Sequence, residues 1–270
     1  MKTNRTDGKI IPLVSVITVV FNNEKDIAAT VESIINQNFD NYEYIVIDGG
    51  SKDSTLNILE NYSDKIDYMI SEPDKGIYDA MNKAVKIARG KWLIFMNSGD
   101  MFYSEDVLKK IFETQIPDDA AFIYGNHEID YTGYKKFSRA GSINNLWKGL
   151  PFSHQAILSL TECHRIKPFD LHYVFGADFD FFSYCYSKEM KFHYIDLPVA
   201  LIKAGGFSGK NAIISIIERW KISRKYFQTH GMHLFYFFFI INNIISEIAK
   251  KIFGPKLSEI IRKNKNWFNI

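Results

Sequence analysis

Apolar runs and amphipathic segments alternate along the first hundred residues. Four short apolar runs end in turn-forming residues, which is typical of buried strands. These runs are Val14–Val20, Tyr44–Asp48, Ile66–Ile70 and Trp92–Met96. Between them, apolar residues recur every three or four positions, which predicts helices. The predicted helices start near Glu24, run from Ser54 to about Tyr62, and run from Ile77 to Ala88.

The alternation of strands and helices predicts an α/β fold, with a Rossmann-like, doubly wound, mostly parallel sheet and helices on both faces. The second half of the chain shows less regular elements. They are a hairpin over Tyr124–Ser138, a strand over Ala156–Leu160, a helix opening near Phe175, a strand over Val199–Ile202, and helices over about Ala212–Thr229 and Met232–Ile252. We therefore expect C-terminal helices that follow the sheet.

Polar residues follow the predicted strands directly. Asn97, Ser98, Gly99 and Asp100 come after Trp92–Met96, and ligands of open α/β sheets bind at the carboxyl ends of strands. One carboxylate with diphosphate oxygens and water suits Mg²⁺ or Mn²⁺, so Asp100 is the candidate metal ligand. The alternative is a turn aspartate that caps a helix starting near Ser104.

The first two strands also end in polar residues. Asp48 could accept a hydrogen bond from a nucleobase or a ribose hydroxyl, or it could be a turn aspartate. Asn22 and Glu24 lie at the mouth of the first strand, and Asp79 lies where a helix begins. No G-x-G-x-x-G or G-K-[ST] loop follows the first strand, so the pattern does not favour dinucleotide or P-loop sites.

Candidates in the second half lie on the side where an acceptor would approach. Asp178 is the candidate general base, among apolar neighbours. The alternative is that Asp178 or Asp180 is a first-turn acid that stabilises the helix dipole. His154, Gln155 and Asp180 are acceptor-side candidates. His154 could be a metal ligand, a phosphate donor or a structural histidine.

Composition limits the compartment and the partners. The 270 residues are 46% hydrophobic, enough for a large core, and the net charge of +2 gives no reason to expect nucleic acid as a partner. Cys163 and Cys185 show neither metal-ligand spacing nor a disulfide framework, so we expect two buried thiols. The polar N-terminus lacks the apolar run of a signal peptide, so we expect a cytoplasmic location.

The C-terminal segment Leu234–Ile252 is aromatic and apolar, but its fully apolar part ends at Ile241. A membrane span needs about 20 predominantly apolar residues. Basic residues lie before this segment and at its end, among them Arg224 and Lys250. We therefore predict a helix lying in the interface of an anionic membrane. The alternative is that the aromatics pack on the rest of the protein or in an oligomer interface.

Four motifs in this order resemble the family-2 inverting glycosyltransferases, which have a GT-A fold. They are V-S-V-I-T-V-V-F-N-N-E, I-V-I-D-G-G-S-K-D-S-T, E-P-D-K-G-I-Y-D-A-M-N-K-A and A-R-G-K-W-L-I-F-M-N-S-G-D, within roughly Pro12–Gly206. The resemblance implies a nucleotide-diphosphate-sugar donor, a divalent cation (Mg²⁺ or Mn²⁺) and inversion at the anomeric carbon. It also implies a glycosyltransferase domain over residues 1–206, with a donor half (about 12–125) and an acceptor half (about 126–206). A helical extension over residues 207–270 would follow.

The resemblance assigns roles by position. Those implied to bind the donor are Val20, Phe21, Asn22, Glu24, Asp48, Ser51, Asp79, Asn82, Asn97, Ser98, Gly99 and Asp100. Ala177 and Asp178 stand in place of a Glu-Asp pair whose aspartate is the base. Asn97 and Gly99 replace the usual D-x-D carboxylates, so metal binding rests on Asp100.

Arg219-Trp220 is similar to the R-W of processive synthases, but Ile216 replaces their glutamine. We therefore expect transfer of one sugar to a glycan or lipid-linked acceptor, at the inner face of the membrane if the C-terminal helix binds there. The alternatives are a catalytically weak nucleotide-sugar-binding protein and a sugar nucleotidyltransferase. The latter would need a glycine-rich, arginine-bearing loop after the first strand.

Overall fold

The computed structural model describes residues 2–4, 11–131, 133–205 and 212–245, and within them ten strands form one sheet. The strands are β1 (Lys2–Asn4), β2 (Val14–Val20), β3 (Tyr42–Asp48), β4 (Tyr68–Ser71), β5 (Trp92–Phe95), β6 (Met101–Phe102), β7 (Ala120–Tyr131), β8 (Tyr134–Ser138), β9 (Ile157–Leu160) and β10 (Lys191–Lys203). The helices are α1 (Ile27–Ile35), α2 (Thr55–Glu60), α3 (Ile77–Ile87), α4 (Val107–Glu113), α5 (Thr161–Ile166), α6 (Ala177–Ser187) and α7 (Ala212–Tyr226). Short 3₁₀ turns lie at Ile143–Lys148 and His154–Ala156, and residues 232–245 are also helical.

The first half of the sheet is parallel, as predicted. β2 pairs with β3 and β5, and β3 pairs with β4, all in parallel register. Beyond β5 the sheet is mixed: β9 is antiparallel to β5 and β7, whereas β10 is parallel to β7. The predicted α/β class is confirmed. The carboxyl ends of β2, β3 and β5 meet at one edge, which is where ligands bind in such sheets.

Two apolar layers cover the sheet, because alternate side chains of a strand point to opposite faces. On β2, Val14 and Val16 pack with α1, α2 and α4 on one face. Ile17 and Val19 pack with α3 and α6 on the other. This explains why the central strands read as continuous apolar runs.

Two predicted boundaries differ from the observed ones. The helix expected from Glu24 begins at Ile27, because the preceding turn is hydrogen-bonded to the β3–α2 loop, with the Glu24 N–H donating to Asp53. β10 starts at Lys191, well before the predicted Val199, because it pairs with β7 along its length. Its register shifts around Pro198, which has no N–H to donate.

The C-terminal helices pack on the second half of the fold. α7 ends at Tyr226, close to the predicted Thr229. Met232 and Tyr236 of helix 232–245 are buried against Ile216 of α7. The predicted continuation of this helix through residue 252 lies outside the described residues. Among the helices that are described, none combines the length and apolarity that a membrane span requires.

Candidate active site

The carboxylate of Asp48 is fully buried at the end of β3 and is saturated by its own loop. The N–H groups of Gly50 and Ser51 donate to Oδ2 at 3.0 Å, and the Ser71 hydroxyl donates to the same oxygen at 2.6 Å. The Ser51 hydroxyl donates to Oδ1. These hydrogen bonds hold the β3–α2 loop against β4, as the alternative of a turn aspartate implies, and the role of Asp48 in donor binding stays a prediction.

Asn22, Glu24 and Ser51 connect the β2–α1 loop to the β3–α2 loop. The Asn22 N–H donates to the Ser51 hydroxyl at 2.8 Å, and Asn22 Oδ1 accepts from the Lys52 N–H at 2.8 Å. Glu24 accepts from the Ser54 N–H at 2.9 Å. Asn22 adopts a φ of 47°, a left-handed conformation that asparagine tolerates better than most residues. These residues therefore join the two loops that follow β2 and β3 at the carboxyl edge of the sheet.

A cleft of about 500 Å³ lies beside these two loops. Its lining residues are Phe21, Gly49, Gly50, Lys52, Pro73, Asp74 and Gly76. The Phe21 side chain is 60% exposed, so its ring is available for stacking. A Cβ atom at Gly49 would press on the Asp74 carboxylate, which would have to move, so the two loops lie close together here. Val20 lies behind the cleft, where its carbonyl accepts from the Gly49 N–H at 2.9 Å.

Two predicted donor residues on α3 have structural partners. Asp79 Oδ2 accepts from the Lys75 N–H at 3.0 Å and lies 3.7 Å from the Lys83 ammonium. The Asn82 amide donates to the Phe169 carbonyl at 2.9 Å and accepts from its N–H at 3.0 Å. Asp79 therefore fixes the start of α3, and Asn82 fixes the loop before α6.

The turn after β5 holds Asp100 in a buried position, with 8% of the residue exposed. Its Oδ2 accepts from the Gln155 amide at 2.7 Å, and its Oδ1 accepts from the Lys203 N–H at 3.3 Å. Burial raises the pKa of Asp100 to about 6, partly offset by these two hydrogen bonds. Two hydrogen bonds of 2.9 Å hold the turn: the Asn23 side-chain amide donates to Ser98 Oγ, and the Gly99 N–H donates to Thr30 Oγ1.

This turn carries two side-chain oxygen groups of the kind that divalent cations prefer. Asn97 Oδ1 is buried and has no hydrogen-bond partner in the part of the chain that the structure describes. With the Asp100 carboxylate it offers hard oxygen ligands, as Mg²⁺ and Mn²⁺ prefer. No cluster of three or more histidine, cysteine, aspartate or glutamate residues suited to a metal occurs within the described ranges. The remaining ligands would come from substrate and water.

Asp178 lies in the first turn of α6, and its side chain is 19% exposed. Oδ1 accepts from the Tyr78 hydroxyl at 3.1 Å and from the Phe179 N–H at 2.8 Å. Oδ2 faces His154 Nδ1 at 3.9 Å, which is beyond hydrogen-bond range. Tyr78 was not among the predicted site residues. The motif I-Y-D-A-M-N contained it, but a buried aromatic on a helix face indicates core packing.

His154 and Gln155, which are neighbours in the chain, each contact one of the two candidate carboxylates. Gln155 binds Asp100, and its neighbour His154 faces Asp178. The His154 ring stacks on Phe95 at 5.3 Å, and among the described residues neither ring nitrogen has a hydrogen-bond partner. Burial lowers the pKa of His154, although the Asp178 charge opposes this, so the imidazole is neutral at neutral pH.

Asp180 does not face an acceptor, contrary to expectation. Its carboxylate is fully buried and pairs with Lys167 Nζ at 2.8 Å and Lys225 Nζ at 3.0 Å. The Tyr226 hydroxyl donates to it at 3.0 Å. A buried charge needs such partners, so Asp180 fastens α6 to α7 and to the loop after α5. The predicted buried thiols Cys163 and Cys185 are indeed buried and unpaired.

These features define an α/β protein with a ligand cleft and an acidic site beside the carboxyl edge of its sheet. Residues 15–178, more than half of the chain, match glycosyl transferase family 2. The chain belongs to this family and is a glycosyltransferase.

Three known proteins are similar to this chain. A PGL/p-HBAD biosynthesis glycosyltransferase of Mycobacterium bovis (strain BCG / Pasteur 1173P2) is 30% identical over 230 residues, covering 79% of this chain and 86% of the relative. The Escherichia coli UDP-Glc:alpha-D-GlcNAc-diphosphoundecaprenol beta-1,3-glucosyltransferase WfgD is 33% identical over 118 residues, covering 43% of this chain and 46% of the relative. The mannosyltransferase PcManGT from Pyrobaculum calidifontis, solved with GDP-Man and Mn²⁺, superposes with a TM-score of 0.65. It covers 93% of this chain and 79% of its own at 14% identity, so this likeness concerns the fold.

Proposed function

We propose that the protein transfers one sugar from a nucleotide-diphosphate-sugar to a hydroxyl group of a glycan or lipid-linked acceptor, with inversion. The observation that carries this proposal is the geometry of Asp178. Two donors hold its Oδ1, while Oδ2 faces a neutral histidine beyond bonding distance. A carboxylate held in this way can take a proton from an acceptor hydroxyl. The name of WfgD, with UDP-Glc and a diphosphoundecaprenol-linked acceptor, supports this substrate class.

The donor nucleotide would occupy the cleft beside Phe21, in the donor half of the chain. The exposed Phe21 ring offers a stacking surface, and such stacking is worth about 1–3 kcal/mol per base. Asp74 offers a hydrogen-bond acceptor, and Lys52 offers a positive charge, on the cleft walls. The diphosphate would then extend toward Asp100 and the turn after β5.

The transfer is a single displacement. Asp178 removes the acceptor proton while the acceptor oxygen forms a bond to the anomeric carbon. The bond from that carbon to the leaving diphosphate breaks, and its electron pair goes to the diphosphate oxygen. Because the acceptor oxygen attacks from the face opposite the leaving group, the configuration inverts. A divalent cation held by Asp100 and Asn97 would supply positive charge beside the leaving group when bound. The neutral His154 ring lies beside the base and stacks on the Phe95 ring.

The test compares native protein with Asp178→Asn, using a panel of nucleotide-sugars and simple glycan acceptors. Transfer should fall by about 10²- to 10⁴-fold, while nucleotide affinity measured by calorimetry stays the same. Asp64→Asn is a matched control, because the Asp64 side chain is 65% exposed and pairs with Lys65 at the surface. Near-native transfer by Asp178→Asn would reject Asp178 as the base. A product with retained anomeric configuration would reject the single displacement.

We also propose that helix 232–245 lies on an anionic membrane surface. Its inner face is buried against α7, but its outer face is apolar as well. Leu234 and Phe238 are each 63% exposed, and Phe237 is 54% exposed. These three positions are spaced three and four residues apart, so they lie on one side of the helix. A helix that is apolar all round needs a second covering surface, and a lipid interface suits aromatic and aliphatic side chains beside basic residues.

The membrane proposal is tested by flotation with vesicles containing anionic lipid at low salt. The native chain should float, and a triple variant with Leu234, Phe237 and Phe238 changed to glutamine should lose at least about tenfold in partition. A matched triple variant changes Phe137, Ile166 and Leu171, which are exposed elsewhere. The proposal fails if the native chain stays in the soluble fraction, or if the first triple variant floats equally well.

A further inference from the structure

The hydroxyl of Tyr78 links the donor half of the chain to the candidate base. Tyr78 lies at the start of α3, and its hydroxyl lies 3.1 Å from both Asp178 Oδ1 and the Phe175 carbonyl oxygen. Its ring packs against Phe169 at 5.5 Å. The contact therefore spans one hundred residues of sequence and joins two separate elements of the fold.

The Tyr78 hydroxyl carries one hydrogen, which it shares between Asp178 Oδ1 and the Phe175 carbonyl oxygen. Burial and the adjacent Asp178 raise the pKa of Tyr78 well above its usual value, so it keeps its proton at working pH. Together with the Phe179 N–H, it holds Oδ1 of Asp178 from two directions. The carboxylate plane is then fixed, and Oδ2 is the oxygen left to receive a proton.

The start of α3 also belongs to the donor cleft. Asp74 and Gly76 line the cleft, and the Gly76 N–H donates to Asp74 at 2.8 Å. The Lys75 N–H donates to Asp79 at 3.0 Å. The turn from Asp74 to Asp79 is therefore one hydrogen-bonded unit, with the cleft wall at one end and Tyr78 at the other.

We propose that Tyr78 is a positioning residue, which orients Asp178 for proton transfer from a turn that also forms the donor cleft. This inference rests on the proposed role of Asp178 as the base. Tyr78 touches neither reacting atom in this scheme and acts through the carboxylate alone. Because the same turn lines the cleft and holds the base, the Asp178 carboxylate would keep a fixed position relative to a bound donor.

Tyr78→Phe removes the hydroxyl and keeps the ring. We expect kcat to fall by roughly 10- to 100-fold, as for loss of a hydrogen bond to a charged group, while the donor KM changes less than about twofold. The acidic limb of the pH profile of kcat should move to higher pH, because the lost donor favoured the charged carboxylate. Two further ionisable groups that interact with Asp178, His154 and Arg219 of α7, remain in this variant.

Tyr42→Phe is the matched control, since its hydroxyl donates to the Ile34 carbonyl at 3.2 Å, remote from Asp178. It should keep both the native kcat and the native pH profile. The position of the acidic limb does not depend on the amount of folded enzyme, so it remains informative if Tyr78→Phe lowers stability. A native kcat or an unmoved limb in Tyr78→Phe overturns the inference.

Asp178→Asn, assayed in parallel, separates two kinds of failure. If it is inactive while Tyr78→Phe behaves like the native protein, only the positioning role is rejected. If Asp178→Asn transfers at the native rate, the proposed base is rejected, and the positioning role with it.

Discussion

Replacing Asp100 by asparagine should stabilise the protein at alkaline pH. Asp100 is buried, and its pKa is raised from 3.8 to about 6 by burial. The unfolded chain loses this proton near pH 3.8, whereas the folded protein keeps it until about pH 6. Stability therefore falls as pH rises between these values, and the full cost is present above pH 6. At about 1.4 kcal/mol for each pH unit, that cost is about 3 kcal/mol.

Asparagine carries no charge, so Asp100→Asn removes this cost at high pH. Its amide group must face one of the two donors, Gln155 or Lys203, which loses about 1 kcal/mol at every pH. The net gain in free energy of unfolding should be about 2 kcal/mol near pH 8. At about pH 4.5 only a third of the ionisation cost has developed, so the gain there should be close to zero.

Urea unfolding of both proteins at about pH 4.5 and pH 8, with chelator present, measures this difference. A chelator is needed because a bound cation would stabilise the ionised carboxylate. Asp64→Asn, at an exposed position, should show no such dependence on pH. Equal effects of Asp100→Asn at the two pH values would refute the reasoning. Calorimetry should also show that the stabilised variant binds Mn²⁺ more weakly than the native protein.

Two further predictions concern the α6–α7 contact and the cleft. Asp180→Asn leaves Lys167 and Lys225 without a counter-charge. Unfolding in urea should show a free energy of unfolding lower by at least about 2 kcal/mol, a value already reduced because both lysines are partly exposed. A loss below about 0.5 kcal/mol would contradict the structural role. Phe21→Ala should weaken UDP or GDP binding in calorimetry by roughly 5- to 100-fold. Phe137→Ala, at a similarly exposed ring, should not, and unchanged affinity in Phe21→Ala would place the nucleotide elsewhere.

The local pattern of apolar residues was sufficient for the first half of the fold. The predicted strands and helices up to Met96 all exist, because each buried strand or amphipathic helix shows its own period within a few residues. The same pattern could not show that β9 lies between β5 and β7, or that β10 extends over thirteen residues. Strand pairing depends on distant partners, and Pro198 and the charged residues of β10 hide its period.

The carboxylates show the same division. From the sequence, Asp48, Asp100, Asp178 and Asp180 were equivalent in kind: acids at strand ends or in a first helical turn. Only the tertiary structure distinguishes Asp48 and Asp180, which are fully buried and bound by several donors, from Asp178, which has one oxygen beyond hydrogen-bond distance of its neighbour. Whether a carboxylate is free to accept a proton depends on side chains that are far away in sequence. A local motif therefore cannot predict it.

The sequence by itself determined the family, the central parallel strands and the positions of the candidate acids, because these follow from short motifs and local periodicity. The tertiary structure decided which residues contact each acid. Gln155 binds Asp100, its chain neighbour His154 faces Asp178, and Tyr78 reaches Asp178 across one hundred residues. Such contacts arise only when α3, α6 and the loop before β9 pack together, and that packing is a property of the whole sheet.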